Sequence, residues 1–182
     1  MNAKPPKMKA VKVRAIDADA DPEPYRLLRE LVAAHHDELV EARIALAWQY
    51  GWAKDPDGYL RLGSCQRVTD PLRQLAGVDV LIRLNADVYR LKDFGDAGRR
   101  ALIDHELCHV ARAKNDDDTG ATDEMGRPVY RTVHHDAEEF VDIIRRHGLW
   151  KHDLLRLAEA ARQAADQPLL GQRSPTQKGP RT

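Results

Sequence analysis

No stretch of this chain is apolar enough, for long enough, to span a membrane. Charge of one sign is also missing, because 29 Lys and Arg face 29 Asp and Glu. That balance excludes a global field that would gather nucleic acid or an anionic lipid surface. Cysteine is scarce: Cys65 and Cys108 are the two in the chain. A disulfide framework is therefore not expected. A zinc ribbon, which takes four Cys or His in paired short spacings, has no counterpart here. The basic start, MNAKPPKMKAVKVRA, has no apolar segment of the secretory kind. These absences make the cytoplasm the expected compartment, with no membrane partner.

What is present suits a globular chain. Hydrophobic residues are 42% and charged residues 32%, enough for a core under a charged surface. A length of 182 residues fits one domain with tails. Residues 1–22 are expected to be a flexible basic segment, 23–167 the folded domain, and 168–182 a disordered basic tail.

Within the domain, Pro24 suits a first helical turn, and Tyr25, Leu28, Leu31, Val32 and His35 follow helical spacing. His35 and His36 are adjacent, so they do not share a helix face, and they read as a solvated or helix-end pair. Ala42–Tyr50 reads as a strand, Asp55-Pro56-Asp57-Gly58 as a turn, and Leu60–Val68 as a second strand pairing with the first like a hairpin. Val78, Val80, Ile82 and Leu84 alternate with Asp79, Leu81 and Arg83 in the clearest strand of the chain. Asn115–Gly120 is a polar loop. Its Asp run lacks the Gly and Glu spacing of a calcium loop. Val129–Val133 is a short strand. His134–Ile144 is expected as a helix stopped by Gly148, with a last helix from His152 to Ala165. The fold class is thus α+β: a small mixed or antiparallel sheet packed on two helices.

The chemistry centres on Ala101–Lys114, which contains His105-Glu106-Leu107-Cys108-His109. On a helix capped by Asp96 and running to Lys114, His105 and His109 lie one turn apart on one face. Two neutral imidazoles so placed grip a Zn²⁺ ion, and Glu106 is near enough to reach a water beside it. Ile103, Leu107 and Val110 face the other way, towards a core. Cys108 reads as a small buried apolar residue.

A catalytic zinc takes three protein ligands and leaves one position open. The third donor is sought in His134-His135-Asp136-Ala137-Glu138-Glu139. His135 is the first choice, with Glu139 and Glu138 as alternatives, and Asp136 is expected to orient a ligand imidazole. One zinc per chain, with Glu106 as general base, gives hydrolysis of a peptide or amide bond. Tyr130, Arg145 and His147 are candidates for stabilising the oxyanion.

The order of motifs is a Trp-containing strand, a D-x-D-G turn, GVDVLIRLN, ALIDHELCHV and HHDAEEFVDIIRRHGLW. Over Ala42–Trp150 this order resembles the putative phage metallopeptidase family of zincin-like proteins. A wider similarity is to SprT-like proteases, which share H-E-L-C-H and take a third His that an aromatic follows four residues later. Here Phe140 follows His135 by five and Asp136 by four. The Cys-rich ribbon common in SprT-like proteins is missing, so their DNA-linked role does not carry over. The resemblance implies a zincin fold, one zinc, a protein or peptide substrate, and a phage or prophage origin within a bacterial host. Two other readings stand beside it. One is a catalytically silent zincin-like zinc protein that docks a phage or host protein. The other is a nucleic-acid-associated factor acting through the basic tails.

Overall fold

Val80, Ile82 and Leu84 are fully buried, and Leu81 and Arg83 between them are half-buried. A strand covered on both faces belongs in the middle of a sheet. The computed structural model, which describes residues 12–138 and 141–165, puts it there. This strand, β4 (Val80–Asn85), lies between β2 (Ile44–Gln49) and β3 (Gly63–Arg67), and β1 (Val13–Ala15) borders β2. β2 runs parallel to β4 in register Ile44↔Val80 to Gln49↔Asn85, while β1 and β3 run antiparallel to their neighbours. The sheet is therefore small and mixed in an α+β chain.

Two expectations change here. The strands around Ala42–Tyr50 and Leu60–Val68 do not form a hairpin, because β4 separates them. The physical reason is polarity. Gly63-Ser64-Cys65-Gln66-Arg67 suits an exposed edge, whereas the apolar β4 needs cover on both sides. The Asp55–Gly58 turn does form, but it closes only the Lys54↔Leu60 bridge. Nor is all of 1–22 outside the fold, since Val13–Ala15 pairs with β2 and Ile16 is buried.

Helix α1 (Glu23–His35) carries Pro24 in its first turn and buries Leu27, Leu28 and Leu31. After β3 come α2 (Asp70–Ala76), then β4 and the short α3 (Ala86–Tyr89). Helix α4 (Gly95–Cys108) follows and packs beside α1 and β3. Its Ile103 and Leu107 join Leu46, Ile82 and Leu84 in one core. Burial of such a side chain contributes about 1.5–3 kcal/mol.

Helix α4 is shorter than expected. Asp96 sits within the first turn, not before it, and the helix stops at Cys108 instead of reaching Lys114. Beyond it, β5 (Val110–Arg112) pairs antiparallel with β6 (Tyr130–Thr132). The turn-rich Asn115–Gly120 stretch folds the chain back, and backbone pairing continues at Lys114↔Gly120 and Thr122↔Pro128. Interstrand bonds thus satisfy the groups that a longer helix would have satisfied internally. The helix expected from His134 starts later, as α5 (Val141–His147), so His135 is not on a second ligand-bearing helix. Gly148, at φ 72°, lies just past α5, and its N–H bonds the Ile144 carbonyl. The last helix is α6 (His152–Gln163).

One charge cluster, buried at Asp79 and Arg73, fixes the ends of the parallel strands. Asp79 precedes β4 and Arg43 precedes β2. The Asp79 carboxylate accepts from Arg43 Nε at 3.0 Å, Arg43 Nη2 at 2.9 Å, and Arg73 Nε. Arg73, itself buried, also bonds Asp123 Oδ2 at 2.8 Å and the Pro128 carbonyl, which ties α2 to the loop between β5 and β6. Burial raises the Asp79 pKa, but the bonds from Arg43 and Arg73 outweigh it and hold the carboxyl at about 2, against an ordinary 3.8. A depressed folded pKa gives stability that is complete above pH 3.8 and lost as pH falls through about 2. The amount is about 2 kcal/mol. Asp79→Asn is expected to cost about 3 kcal/mol at pH 7, because Arg73 keeps its buried charge. In urea unfolding, the gap to the parent chain should narrow below pH 3. A gap constant from pH 2 to 7 contradicts this account.

Candidate metal centre

Helix α4 presents His105 from its last turn, and His109 follows as the residue capping it, at φ −76° and ψ 0°. The helical i, i+4 spacing is kept to that cap, and the two ring centroids are 5.0 Å apart. His135 reaches the pair from the extended segment after β6. The ladder of β5 and β6 is prolonged by one residue on each side. The Val133 N–H bonds the His109 carbonyl at 2.9 Å, and His109 Nδ1 donates to the Val133 carbonyl at 2.8 Å. This double link carries the chain back over α4 and delivers His135 two residues later. Its ring centroid is 4.6 Å from that of His109 and 5.2 Å from that of His105. The Nε2 atoms of His135 and His105 are 3.4 Å apart. One ring nitrogen from each of the three lies within 4.8 Å of the other two.

Glu106 lines the same cleft as this trio and is 3% exposed. Its Oε2 is buried without a hydrogen-bond partner. Burial pushes the carboxyl up to about 7, against the opposing pull of His109 and Arg61. His105 is lowered, first by burial and then by its two imidazole neighbours. Gly63 makes room for the carboxylate, because a Cβ there would collide with Oε1, Cδ and Cγ of Glu106. Nearby, burial and then Glu106 raise the half-buried Cys65 thiol to about 12, so it is not a thiolate nucleophile at neutral pH.

The trio opens on a cleft of about 790 Å³ walled by Phe94, Leu102 and β3. Arg61, which is exposed, also lines it, and its charge opposes the rise at Glu106. Neither Arg61 nor Gly63 has a sequence signature, since β3 had to take its edge position before either could meet Glu106. Glu138 approaches His135 Nδ1 at 3.6 Å, the ring nitrogen turned away from His105. Asp136 is exposed, and among the described residues no hydrogen bond joins it to an imidazole. Glu139 lies outside the described residues. Tyr130 is buried beside a separate small cavity with Arg73 and Asp79, and neither Arg145 nor His147 lines the cleft.

Two neighbouring side chains differ from expectation. Cys108 is exposed, because one step of about 100° from the buried Leu107 turns it outward. His36 does cap the end of α1, but it is not solvated. Its Nε2 is 2.7 Å from Asp104 Oδ1, and its side chain is 12% exposed. The packing of α1 on α4, invisible to local spacing, brings them together.

A mixed α+β chain with three imidazoles converging beside a buried carboxylate has a candidate metal centre. Comparison with protein families gives the lineage. The family described as putative phage metallopeptidase matches residues 16–162, and this chain belongs to it. No curated protein and no solved structure matches the chain. Among the described residues, no helix is long and apolar enough to cross a membrane.

The close approach at Gly63 yields a prediction. Gly63→Ala should displace the Glu106 carboxylate and destabilise the fold by about 1–3 kcal/mol. A urea midpoint unchanged from the parent chain would show that the strand and helix have room to spare.

Proposed function

We propose that the chain is a zinc-dependent peptidase with a zincin-like fold, acting on a protein or peptide. The observation that carries this reading is the convergence of His105, His109 and His135 beside a buried carboxylate oxygen that has no partner. The donor set suits the ion. Zinc–nitrogen bonds of about 2.0–2.1 Å set tetrahedral ligand nitrogens about 3.4 Å apart. The Nε2 atoms of His105 and His135 have that separation, 3.4 Å. With Nδ1 donating to the Val133 carbonyl, His109 turns the lone pair of Nε2 outward. Glu138 beside Nδ1 of His135 favours the same arrangement there. This centre then holds one zinc, through His105, His109 and His135.

When bound, zinc supplies positive charge that polarises a peptide carbonyl and acidifies water. The protein does the rest. Glu106 Oε2 takes a proton from the attacking water and returns it to the departing amine. The Val133 carbonyl holds the His109 imidazole, and Glu138 stands beside that of His135. Phe94 and Leu102 offer an apolar surface to a substrate side chain, and Arg61 adds a cation to the lining. The peptidase unit proposed over 23–167 also takes in β1. Free thiols at Cys65 and Cys108 favour the cytoplasm of a bacterial host.

Two variants test this reading. Glu106→Gln should retain zinc by elemental analysis, yet lower peptide hydrolysis about 10²- to 10⁴-fold. Equal turnover by both proteins on a sensitive peptide panel rules the mechanism out. His135→Ala should weaken zinc by more than the roughly 10- to 100-fold cost of losing a ligand's hydrogen-bonded neighbour, while Glu138→Gln should stay at or below that range. The reverse order would make Glu138 the third ligand.

A further inference from the structure

A second group of metal-ligating side chains stands on the flank of the same helix. Asp104 and Cys108 are four apart, Asp104 within α4 and Cys108 at its end, so they lie one above the other. His36, where α1 ends, reaches across the helix pair. Its Nε2 is 2.7 Å from Asp104 Oδ1, and one ligand atom from each of the three residues lies within 4.8 Å of the other two. None of them lines the cleft. They repeat the device of the first centre, two donors one helical turn apart and a third from another element, rotated about 100° round α4 by a shift of one residue.

We propose that His36, Asp104 and Cys108 form a second binding site, for a divalent cation of the zinc class. The donors are one nitrogen, one oxygen and one sulfur. Thiolate and imidazole favour zinc and its chemical substitutes, whereas Mg²⁺ and Ca²⁺ prefer oxygen alone. The metal binds Nε2 of His36, whose proton moves to Nδ1 in the other tautomer, and a carboxylate oxygen of Asp104, while Cys108 binds as thiolate, its proton passing to solvent. Three protein donors leave a further position open. His36 and Asp104 are half-buried while Cys108 is exposed, so that position faces water and a metal can enter from the Cys108 side. Once bound, the ion cross-ties the end of α1 to the helix that carries His105 and Glu106. A plain His36–Asp104 ion pair would achieve part of this tie, but it has no use for the thiol. Cys108 therefore discriminates between the two.

The site does not rest on the three histidines holding zinc, and the test separates them. Co²⁺ is titrated into the full-length chain under reducing conditions. Thiolate-to-Co²⁺ charge transfer absorbs in the near-ultraviolet, and the histidine trio contains no thiolate. The band should appear in the parent chain and persist in a His105→Gln/His135→Gln double variant. It should vanish in Cys108→Ser, a change at an exposed position that leaves the core untouched. Asp104→Asn and His36→Gln should each weaken the Co²⁺ that gives the band by at least about tenfold, roughly the least lost with a ligand's own neighbour. Elemental analysis should find one Zn²⁺ fewer per Cys108→Ser chain than per parent chain. No charge-transfer band at saturating Co²⁺ overturns the proposal. So does a band that keeps its affinity in both Asp104→Asn and His36→Gln, which would mark the thiol as binding alone.

Discussion

The candidate centre depends on one reciprocal contact, between His109 and Val133. A backbone N–H from Val133 meets the His109 carbonyl, and the His109 imidazole meets the Val133 carbonyl. The contact closes the β5–β6 ladder over the end of α4. It sets the rotation of one imidazole and the path of the chain that carries another. Each bond alone contributes only about 0.5–1.5 kcal/mol. Their value lies in coupling: the turn that ends the helix, the ring that caps it and the return of His135 are decided together.

The protein treats its buried charges in two opposite ways. Asp79 is surrounded by donors, and the ends of β2 and β4, α2 and the following loop meet on its carboxylate and on Arg73. Glu106 is equally buried, yet one of its oxygens is left without a partner and its carboxyl is raised, not lowered. A satisfied carboxylate stabilises a fold, whereas an unsatisfied one costs stability and is worth keeping only where its protons are useful. The difference arises from neighbours: two guanidinium groups at Asp79, and a glycine and an imidazole at Glu106.

Helix α4 organises this chemistry by rotation. Ile103 and Leu107 enter the core, His105 faces the cleft, Glu106 passes under β3, and Asp104 with Cys108 faces α1. Successive side chains point about 100° apart, so the six residues from Ile103 to Cys108 serve four surroundings. The cluster with His36 is the product of helix-on-helix packing, just as the histidine trio is the product of strand pairing.

Much of this was legible in the order of residues. Alternation marked β4, helical spacing marked α1 and the back of α4, and i, i+4 spacing set His105 and His109 on one side of one element. The α+β class and the family resemblance followed from the same motifs. Such features are local, fixed by backbone geometry within a turn or a strand. The remainder was not local. Whether β3 paired with β2 or lay beyond β4 depended on which strand needed cover on both faces. Where α4 stopped depended on a partner strand some twenty residues away, and that pairing, not a second helix, brought His135 to its place. His36, Arg61 and Gly63 acquired their neighbours only when distant segments packed. Spacing along a chain determines which way a side chain points from its own element, but tertiary contact alone decides what it meets there.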